Sequence, residues 1–280
     1  MRQFTTMSNK PPNDLQSFRA NITSQFGEDG IIAEIVSRLG GGARCCVEFG
    51  AWDGRHLSNT WSLWHENDWS AVLIEGDRER SIALTAATAA FPRVRVINAF
   101  VGWEGPTRLD ALLDSAGQTG PVDLMSIDID GDDYHVFAAI ESHLPRILLI
   151  EFNPTCPPDV ELVQDKGGRF GSSALSLLRL AERKGYTLAA CTDTNLILVD
   201  VKEFSSLGIA PVRLADVAPR HHLSHIMSDY DGRLYIDHPP VYAPHIAAFG
   251  WRARLPWQAQ EGTTFASGEA HPVRLFQGDK

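Results

Sequence analysis

The sequence has few basic residues for its number of acids. Lysine and arginine together number 25 against 35 aspartates and glutamates, which gives a formal net charge of −10. Nucleic acids and anionic membranes repel such a surface, because both carry dense negative charge. We therefore expect neither nucleic acid nor a membrane as a partner of this protein.

Cysteines are also scarce, and none of the four forms a C-x-x-C pair. That spacing is typical of zinc ribbons and dithiol redox sites, so both kinds of site are disfavoured. Cys45 and Cys46 lie in a predicted buried strand, where cysteine behaves as a small hydrophobic residue. We expect reduced, structural thiols in a cytoplasmic protein.

Long apolar segments are absent. No run approaches the roughly 18 apolar residues that a membrane-spanning helix needs. The first 14 residues are polar and lack the apolar core of a signal peptide. We expect residues 1–14 to form a flexible N-terminus of a soluble protein.

Between residues 15 and 204, short apolar segments alternate with amphipathic helical ones. Strands that are apolar throughout are typical of a parallel sheet covered by helices on both faces. The fold class is therefore α/β: a doubly wound, mostly parallel sheet with a terminal antiparallel hairpin. The predicted strands are Cys45–Phe49, Ala71–Ile74, Val94–Phe100, Val122–Ile127, Arg146–Ile150, Tyr186–Cys191 and Leu196–Val199.

Residues 205–280 do not continue this alternation, and we interpret them as an irregular C-terminal extension. The extension would build a substrate pocket or an oligomer contact, and its Trp251 and Trp257 leave a homodimer open. It also contains the cluster His221–His225. His222 and His225 would share one face of a helix, which suits a metal or base site, although surface histidines are the simpler interpretation.

The loop after the first predicted strand is rich in glycine and acid. Ligands of open α/β sheets bind at the carboxyl ends of the strands, so this loop is a candidate site. Gly50 lets the backbone approach a ligand closely, and Glu48 or Asp53 can accept a hydrogen bond from an ammonium group. A diphosphate would instead favour the backbone N–H groups at a helix N-terminus, in a loop that has no carboxylates. The acidity favours a cationic ligand, and an ordinary tight turn is the alternative.

A second acidic group follows the second predicted strand. Glu75, with Asp77 beside it, lies about 25 residues beyond the glycine-rich loop, near the spacing of a βαβ nucleotide site. One carboxylate matches the two hydroxyls of a ribose. The alternative is a carboxylate that caps the next helix. After the third strand, the segment Asn98–Val101 is a weak candidate for an adenine pocket.

The fourth and fifth predicted strands end in a crowded group of acids. Asp128 and three further aspartates, up to Asp133, follow the fourth strand, and Glu151 and Asn153 follow the fifth. Oxygen ligands of this kind suit Mg²⁺ or Ca²⁺. We therefore predict a metal site formed by Asp128, Glu151 and Asn153, with a solvated acidic loop as the alternative. Asp128 and His135 are the candidate catalytic bases.

Taken in order, these segments resemble the FkbM-type branch of class I methyltransferases over roughly residues 24–200. The resemblance implies the class I methyltransferase fold, S-adenosylmethionine as cofactor, and O-methylation of a sugar or a secondary metabolite as the activity. The segments that carry it are Ser24–Gly30, Val47–Gly54, Ile74–Asp77, Ser126–Gly131 and Ile150–Asn153.

The resemblance also implies roles for single residues. Glu48, Gly50 and Asp53 would line the methionine part of the cofactor, Glu75 would hold the ribose, and Asp128 would lie near the transferred methyl group. Asp130 replaces a glutamate that is frequent in that branch, and this brings the site nearer to metal-assisted O-methyltransferases of the catechol type. Mg²⁺ is therefore left open as a second cofactor.

Two alternatives to this function stay open. Asp128-x-Asp130-Gly131 also resembles the nucleophile motif of haloacid-dehalogenase-like phosphatases, which form an aspartyl phosphate with Mg²⁺ and need a downstream lysine. The candidate lysines are Lys166, Lys184 and Lys202. The other alternative is a cofactor-binding scaffold that has lost its activity.

Overall fold

The computed structural model describes residues 14–228, 230–231 and 234–236. The chain divides into two compact units. The larger unit contains the described residues up to 153 and residues 158–218, and the smaller unit contains residues 154–157 and the described residues from 219 onward. Among the described residues, no helix is both long and apolar enough to cross a bilayer.

A seven-stranded sheet forms the centre of the larger unit, with the strand order β3-β2-β1-β4-β5-β7-β6. The first five strands are parallel, and β7 runs antiparallel to both β5 and β6. This arrangement confirms the predicted sheet with its terminal antiparallel hairpin. The strands are β1 (Cys45–Phe49), β2 (Ser70–Glu75), β3 (Val94–Asn98), β4 (Leu124–Ile127), β5 (Ile147–Glu151), β6 (Tyr186–Cys191) and β7 (Asn195–Asp200).

Helices cover both faces of this sheet and create two hydrophobic cores. One core contains Phe137 and Leu177 against the face that includes Val47, and the other contains Ile31 and Ile35 against the opposite face. The helices are α1 (Glu28–Leu39), α2 (Arg78–Thr88), α3 (Leu109–Ser115), α4 (Asp133–Ala139), α5 (Ala174–Arg183), α6 (Val201–Phe204) and α7 (Leu214–Val217), with a π-helical segment at Ser62–Glu66 and 3₁₀ turns at Leu15–Phe18, Gly105–Thr107 and Ser205–Leu207.

The order of the strands reverses between β1 and β4, because β2 and β3 lie on one side of β1 while β4 and β5 lie on the other. Chain connections leave the sheet in opposite directions at such a point, and this opens a crevice at the carboxyl ends of the strands. The predicted site residues lie at or just after the carboxyl ends of β1, β2, β4 and β5, and so they surround this crevice.

The smaller unit contains a short antiparallel pair, β8 (Ile226–Ser228) and β9 (Leu234–Ile236). Residues 221–225 before it form a turn and an irregular connection. The helical spacing proposed for His222 and His225 is therefore wrong, because these residues are not in a helix. Trp251 and Trp257, on which the suggestion of a homodimer was based, lie outside the described residues.

All four cysteines are free, as expected.

Candidate functional site

Three of the predicted acids point to the same side of the sheet. Cys46, Leu73 and Leu149 pack in the core on the α1 side. Side chains alternate along a strand, and Glu48, Glu75 and Glu151 lie two residues farther along the same three strands, so they lie on this side too. Asp128 follows the end of the neighbouring strand β4. The crevice is therefore acidic on the face that α1 covers.

The carboxylate of Glu48 is buried and is bound by the chain that follows it. One oxygen accepts hydrogen bonds from the hydroxyls of Ser58 at 2.6 Å and Thr60 at 2.7 Å, and the other accepts from the backbone N–H of Asn59 at 2.8 Å. Burial raises the pKa of Glu48 despite these three hydrogen bonds. In this structure Glu48 holds residues 58–60 against the end of β1. A direct contact between Glu48 and a cofactor stays a prediction.

Gly50 brings the loop after β1 against the end of β4. Its φ is +77°, a conformation that L side chains rarely adopt. A Cβ atom at this position would lie 2.0 Å from the backbone carbonyl oxygen of Asp128. Only glycine therefore permits this close approach between two of the loops that surround the crevice.

Asp53 lies exposed at the turn of the same loop. Its carboxylate accepts hydrogen bonds from the backbone N–H groups of His56 at 2.6 Å and Arg55 at 2.9 Å. Partial burial raises the pKa of Asp53, but these N–H groups outweigh that effect and hold it below its usual value. Asp53 therefore presents a stable negative charge at neutral pH.

Glu75 connects the end of β2 to the loop after β1. Its oxygens accept hydrogen bonds from the backbone N–H groups of Trp52 at 2.8 Å and Asp77 at 2.7 Å. Asp77 is exposed and caps α2 by accepting a hydrogen bond from the backbone N–H of Arg80 at 2.9 Å. Asp77 therefore caps α2, which was the alternative role for an acid at this strand end. Glu75 does not cap the helix and lies in the crevice.

An exposed aromatic ring lies beside Glu75. The chain leaves β3 at Asn98, and Phe100 in the following loop is 75% exposed. A Cβ atom on Gly76 would come within 2.3 Å of the Phe100 ring, so the ring lies close against the Gly76 backbone. The segment Asn98–Val101 therefore presents an aromatic ring next to the acid that ends β2.

The structure brings Asp128 and Glu151 together, as the sequence predicts. One carboxylate oxygen from each of these residues and one from Asp130 lie within 4.8 Å of one another. Burial, followed by repulsion from Asp133, raises the pKa of Asp128, although a hydrogen bond with Glu151 opposes the shift. Burial and repulsion from Asp128 raise the pKa of Glu151. These oxygen donors fit a divalent cation, whose charge would offset the repulsion.

Asn153 is held differently from the other predicted metal ligands. Its side-chain amide donates a hydrogen bond to the carbonyl oxygen of Phe170 at 2.6 Å, and so it ties the β5–α5 connection to the end of β5. Asp130, which was not chosen as a metal ligand from the sequence, joins Asp128 and Glu151 instead. The metal role of Asn153 stays a prediction.

His135 lies on α4, the helix that follows the acidic segment after β4. Its Nε2 atom is 2.8 Å from the carbonyl oxygen of Gln164. Its ring meets the rings of Trp103 and Tyr134 edge to face, with centroid distances of 6.0 Å and 5.5 Å. The imidazole is half-buried in a defined orientation, as a catalytic base requires.

Glu28 and Asp29, the first two residues of α1, hold neighbouring segments of the chain through hydrogen bonds. One oxygen of Asp29 accepts hydrogen bonds from the backbone N–H groups of residues 22, 23 and 24 at 2.7–2.8 Å. Glu28 accepts from the hydroxyl of Thr192 and, at 3.3 Å, from the amide of Asn195. Both acids are buried and anchor the N-terminal segment. The sequence signal for this role was the pair of adjacent acids in Ser24–Gly30, next to an apolar helical segment. Buried acids need hydrogen-bond partners, because burying an unpaired charge is costly.

No protein-family model and no curated protein matches this chain. Among solved structures, the glycopeptide N-methyltransferase MtfA complexed with (S)-adenosyl-L-methionine is 14% identical over 64% of this chain and 95% of that chain, with a TM-score of 0.38. The N-terminal domain of EvdMO1 with SAH bound is 11% identical over 62% and 80%, with a TM-score of 0.41. The citrinin polyketide synthase CMeT domain is 13% identical over 55% of this chain and only 45% of that chain, with a TM-score of 0.38.

Proposed function

We propose that this protein is an S-adenosylmethionine-dependent methyltransferase that transfers the methyl group to an oxygen of a small acceptor, a sugar or a secondary metabolite. The observation that carries this proposal is the acidic crevice at the reversal of strand order, formed by Glu48, Glu75, Asp128 and Glu151. A cofactor with a sulfonium and an ammonium group suits such a crevice, whereas a dinucleotide diphosphate would be repelled. The FkbM-type branch stays a prediction.

The loops suggest how the cofactor would bind. Glu75 would accept hydrogen bonds from both ribose hydroxyls, since each carboxylate oxygen has a second lone pair beyond its backbone contact. The exposed ring of Phe100 would stack on the adenine. Asp53, which stays ionised, would attract the ammonium group, and the glycine at position 50 would let the backbone approach the methionine part.

The acceptor hydroxyl must lose its proton as the methyl group is transferred. The sulfonium is already activated, so the protein has to align the acceptor and take up that proton. Asp128 and His135 are the candidate bases. A base works best when its pKa lies near the working pH, and the raised pKa of Asp128 moves that carboxylate in this direction.

A divalent cation fits the group formed by Asp128, Asp130 and Glu151. The three residues offer hard carboxylate oxygens that can approach one ion. When bound, Mg²⁺ would lower the pKa of an acceptor hydroxyl. The protein residues would still align the acceptor and remove its proton.

Isothermal calorimetry with S-adenosylmethionine and S-adenosylhomocysteine tests this proposal, with NAD⁺ as the control ligand. We expect both sulfur compounds to bind and NAD⁺ not to bind. Absence of binding by both sulfur compounds would refute the proposed function. Binding without S-adenosylhomocysteine formation across a panel of glycosides, catechols and phenols would favour the scaffold instead.

The phosphatase alternative needs a lysine close to Asp128. Lys184 donates a hydrogen bond to the carbonyl oxygen of Ile140 at 2.6 Å, and the ammonium of Lys166 lies 5.5 Å from the ring centroid of Trp103. Both ammonium groups are therefore engaged by other partners. Mg²⁺-dependent release of phosphate from 4-nitrophenyl phosphate would favour this alternative.

A further inference from the structure

The contact between His135 and Gln164 defines which nitrogen of the imidazole is basic. The Nε2 atom of His135 lies 2.8 Å from the backbone carbonyl oxygen of Gln164. A carbonyl oxygen can only accept a hydrogen bond, so Nε2 must carry the hydrogen. In the neutral ring the lone pair that can accept a proton then lies on Nδ1.

The side chain of Gln164 holds its own carbonyl group in place. Gln164 is 6% exposed, and its Oε1 atom accepts hydrogen bonds from the backbone N–H groups of Phe170 at 3.0 Å and Gly171 at 2.7 Å. Its Nε2 atom donates to a carboxylate oxygen of Asp132 at 2.9 Å and to the carbonyl oxygen of Gly168 at 3.1 Å. Both polar atoms of this buried amide therefore have hydrogen-bond partners, in its own loop and at Asp132 before α4.

The same loop is fixed to the acidic segment that precedes His135. Asp132 accepts a hydrogen bond from the backbone N–H of Gly167 at 2.9 Å as well as the one from Gln164. A Cβ atom on Gly131 would lie 2.6 Å from the carbonyl oxygen of Gly168, so the two backbones are in close contact. The carbonyl of Gln164 thus has a fixed position relative to α4, where His135 lies.

We propose that Gln164 is a positioning residue: it holds His135 in the Nε2–H form, so that Nδ1 takes the proton from the acceptor hydroxyl. This inference rests on the proposed methyl transfer. As the acceptor oxygen bonds to the methyl carbon, the sulfur–methyl bond breaks and its electron pair stays on sulfur. The hydroxyl proton moves to Nδ1, and the products are the methyl ether, S-adenosylhomocysteine and an imidazolium that later releases its proton to water.

Nuclear magnetic resonance of ¹⁵N-labelled protein tests the tautomer directly, without knowledge of the acceptor. Two-bond proton–nitrogen spectra, recorded over a range of pH, distinguish the protonated from the unprotonated nitrogen of each neutral histidine. The signals of His135 are assigned by their loss in His135→Gln. We expect a protonated Nε2 and an unprotonated Nδ1, and the reverse pattern would overturn the proposal.

Two variants test the role of the Gln164 side chain. Gln164→Ala removes four hydrogen bonds, so the nitrogen signals of His135 should shift toward the average of the two tautomers. The matched control is Val163→Ala, because Val163 is an exposed neighbour in the same loop; its spectrum should match the wild type. If circular dichroism shows that Gln164→Ala is unfolded, Asp132→Ala removes one of the same hydrogen bonds and should shift the signals in the same direction.

A folded Gln164→Ala protein with unchanged His135 signals would refute the positioning role. The proposed function fails by a different result, because it predicts binding of S-adenosylhomocysteine by the wild type and by Gln164→Ala. Loss of binding in the wild type would count against the methyltransferase, whichever tautomer His135 has. Retained binding with an Nδ1–H ring would count against this inference alone.

Discussion

The carboxylate of Glu75 accepts a hydrogen bond from the backbone N–H of Trp52 at 2.8 Å, and this contact joins the end of β2 to the loop after β1. Trp52 has a φ of +48°, which is unfavourable for a residue with a side chain. The other oxygen of Glu75 holds the backbone N–H of Asp77. One buried side chain thus fixes the backbone of both loops that we assign to the cofactor.

Glu75→Gln should weaken both the fold and cofactor binding. The amide nitrogen that replaces one oxygen cannot accept a hydrogen bond, so it would face a backbone N–H that has lost its partner. We expect the free energy of unfolding to fall by about 1–3 kcal/mol. We expect the affinity for S-adenosylmethionine to fall about tenfold or more, because the proposed ribose contact would be lost.

Urea denaturation and calorimetry measure these two effects. Glu79→Gln is the matched control, since Glu79 lies exposed on the first turn of α2. Its free energy of unfolding should stay within about 0.5 kcal/mol of the wild type. Unchanged affinity in Glu75→Gln would remove this residue from the ribose contact.

Gly50→Ala should be more destabilising than Gly40→Ala. Both glycines have a positive φ, +77° and +56°. A Cβ atom on Gly50 would overlap the carbonyl oxygen of Asp128, whereas one on Gly40 would meet nothing within 4 Å. We expect a loss of about 1–3 kcal/mol at Gly40 from backbone conformation alone, because a φ of 56° with a ψ of −179° is a conformation that only glycine adopts readily, and about 2 kcal/mol more at Gly50. Equal losses in thermal or urea unfolding would contradict the close approach.

Phe100→Ala should lower cofactor affinity without a comparable loss of stability. The ring is 75% exposed, so the folded protein gains little from burying it. Stacking of a base on an aromatic side chain contributes about 1–3 kcal/mol, which corresponds to roughly 5- to 150-fold in the dissociation constant. Ile82→Ala is the control, because Ile82 is an exposed apolar residue on α2. Calorimetry that gives the same affinity for both variants would exclude the stacking role.

The buried carboxylate of Asp133 should make stability depend on pH. Burial raises its pKa from 3.8 to about 6, although the backbone N–H groups of Ile129 and Gly131 donate to it. Between about pH 4 and pH 6 the folded state keeps a proton that the unfolded state loses. The stability that comes from this bound proton is fully present below about pH 4, and it is lost as the pH rises through about 6.

The size of that effect is about 3 kcal/mol for two pKa units. Urea unfolding of the wild type and of Asp133→Asn gives the free energy of unfolding of each protein from about pH 4 to pH 7. The difference between the two isolates Asp133, because the other titrating groups are the same in both proteins. The difference should change with pH in favour of the variant, and Asp159→Asn, at an exposed position, should show no such trend. A difference that moves the other way would contradict the raised pKa.

The sheet and the position of its acids are predictable from the sequence. Each of the seven strands contains a short apolar segment, interrupted in β3 by Arg95, and the carboxyl ends of parallel strands meet at one edge. This reasoning places Glu48, Glu75, Asp128 and Glu151 around one crevice before any coordinates are known. The strand ends differ by one or two residues, as at β3, which ends at Asn98 and leaves Phe100 in a loop.

The partners of these acids are not predictable in the same way. Glu48 and Asp29 bind backbone N–H groups of loops, and no periodicity predicts where a loop folds back. Gln164 lies in the long connection between β5 and α5, where a lone glutamine gives no sequence signal. Its role depends on contacts with residues more than 25 positions away in the chain, at Asp132 and His135.

Glu151→Gln should stabilise the protein in the absence of metal and abolish its response to Mg²⁺. Burial and repulsion from Asp128 raise the pKa of Glu151 to about 10, so this side chain must take up a proton when the protein folds at neutral pH. The amide of glutamine needs no such proton uptake, so the thermal midpoint without Mg²⁺ should rise. Residues kept for binding commonly reduce stability in this way.

Mg²⁺ should raise the thermal midpoint of the wild type, since a ligand of the folded state at about 100 times its dissociation constant adds about 2.7 kcal/mol. The midpoint of Glu151→Gln should not respond, because one of the three carboxylate ligands is lost. Glu66→Gln, at an exposed position, should respond as the wild type does, and NaCl at equal ionic strength controls for screening. The metal site would be refuted if Mg²⁺ left the thermal midpoint of the wild type unchanged. It would also be refuted if the midpoint of Glu151→Gln rose as much as that of the wild type.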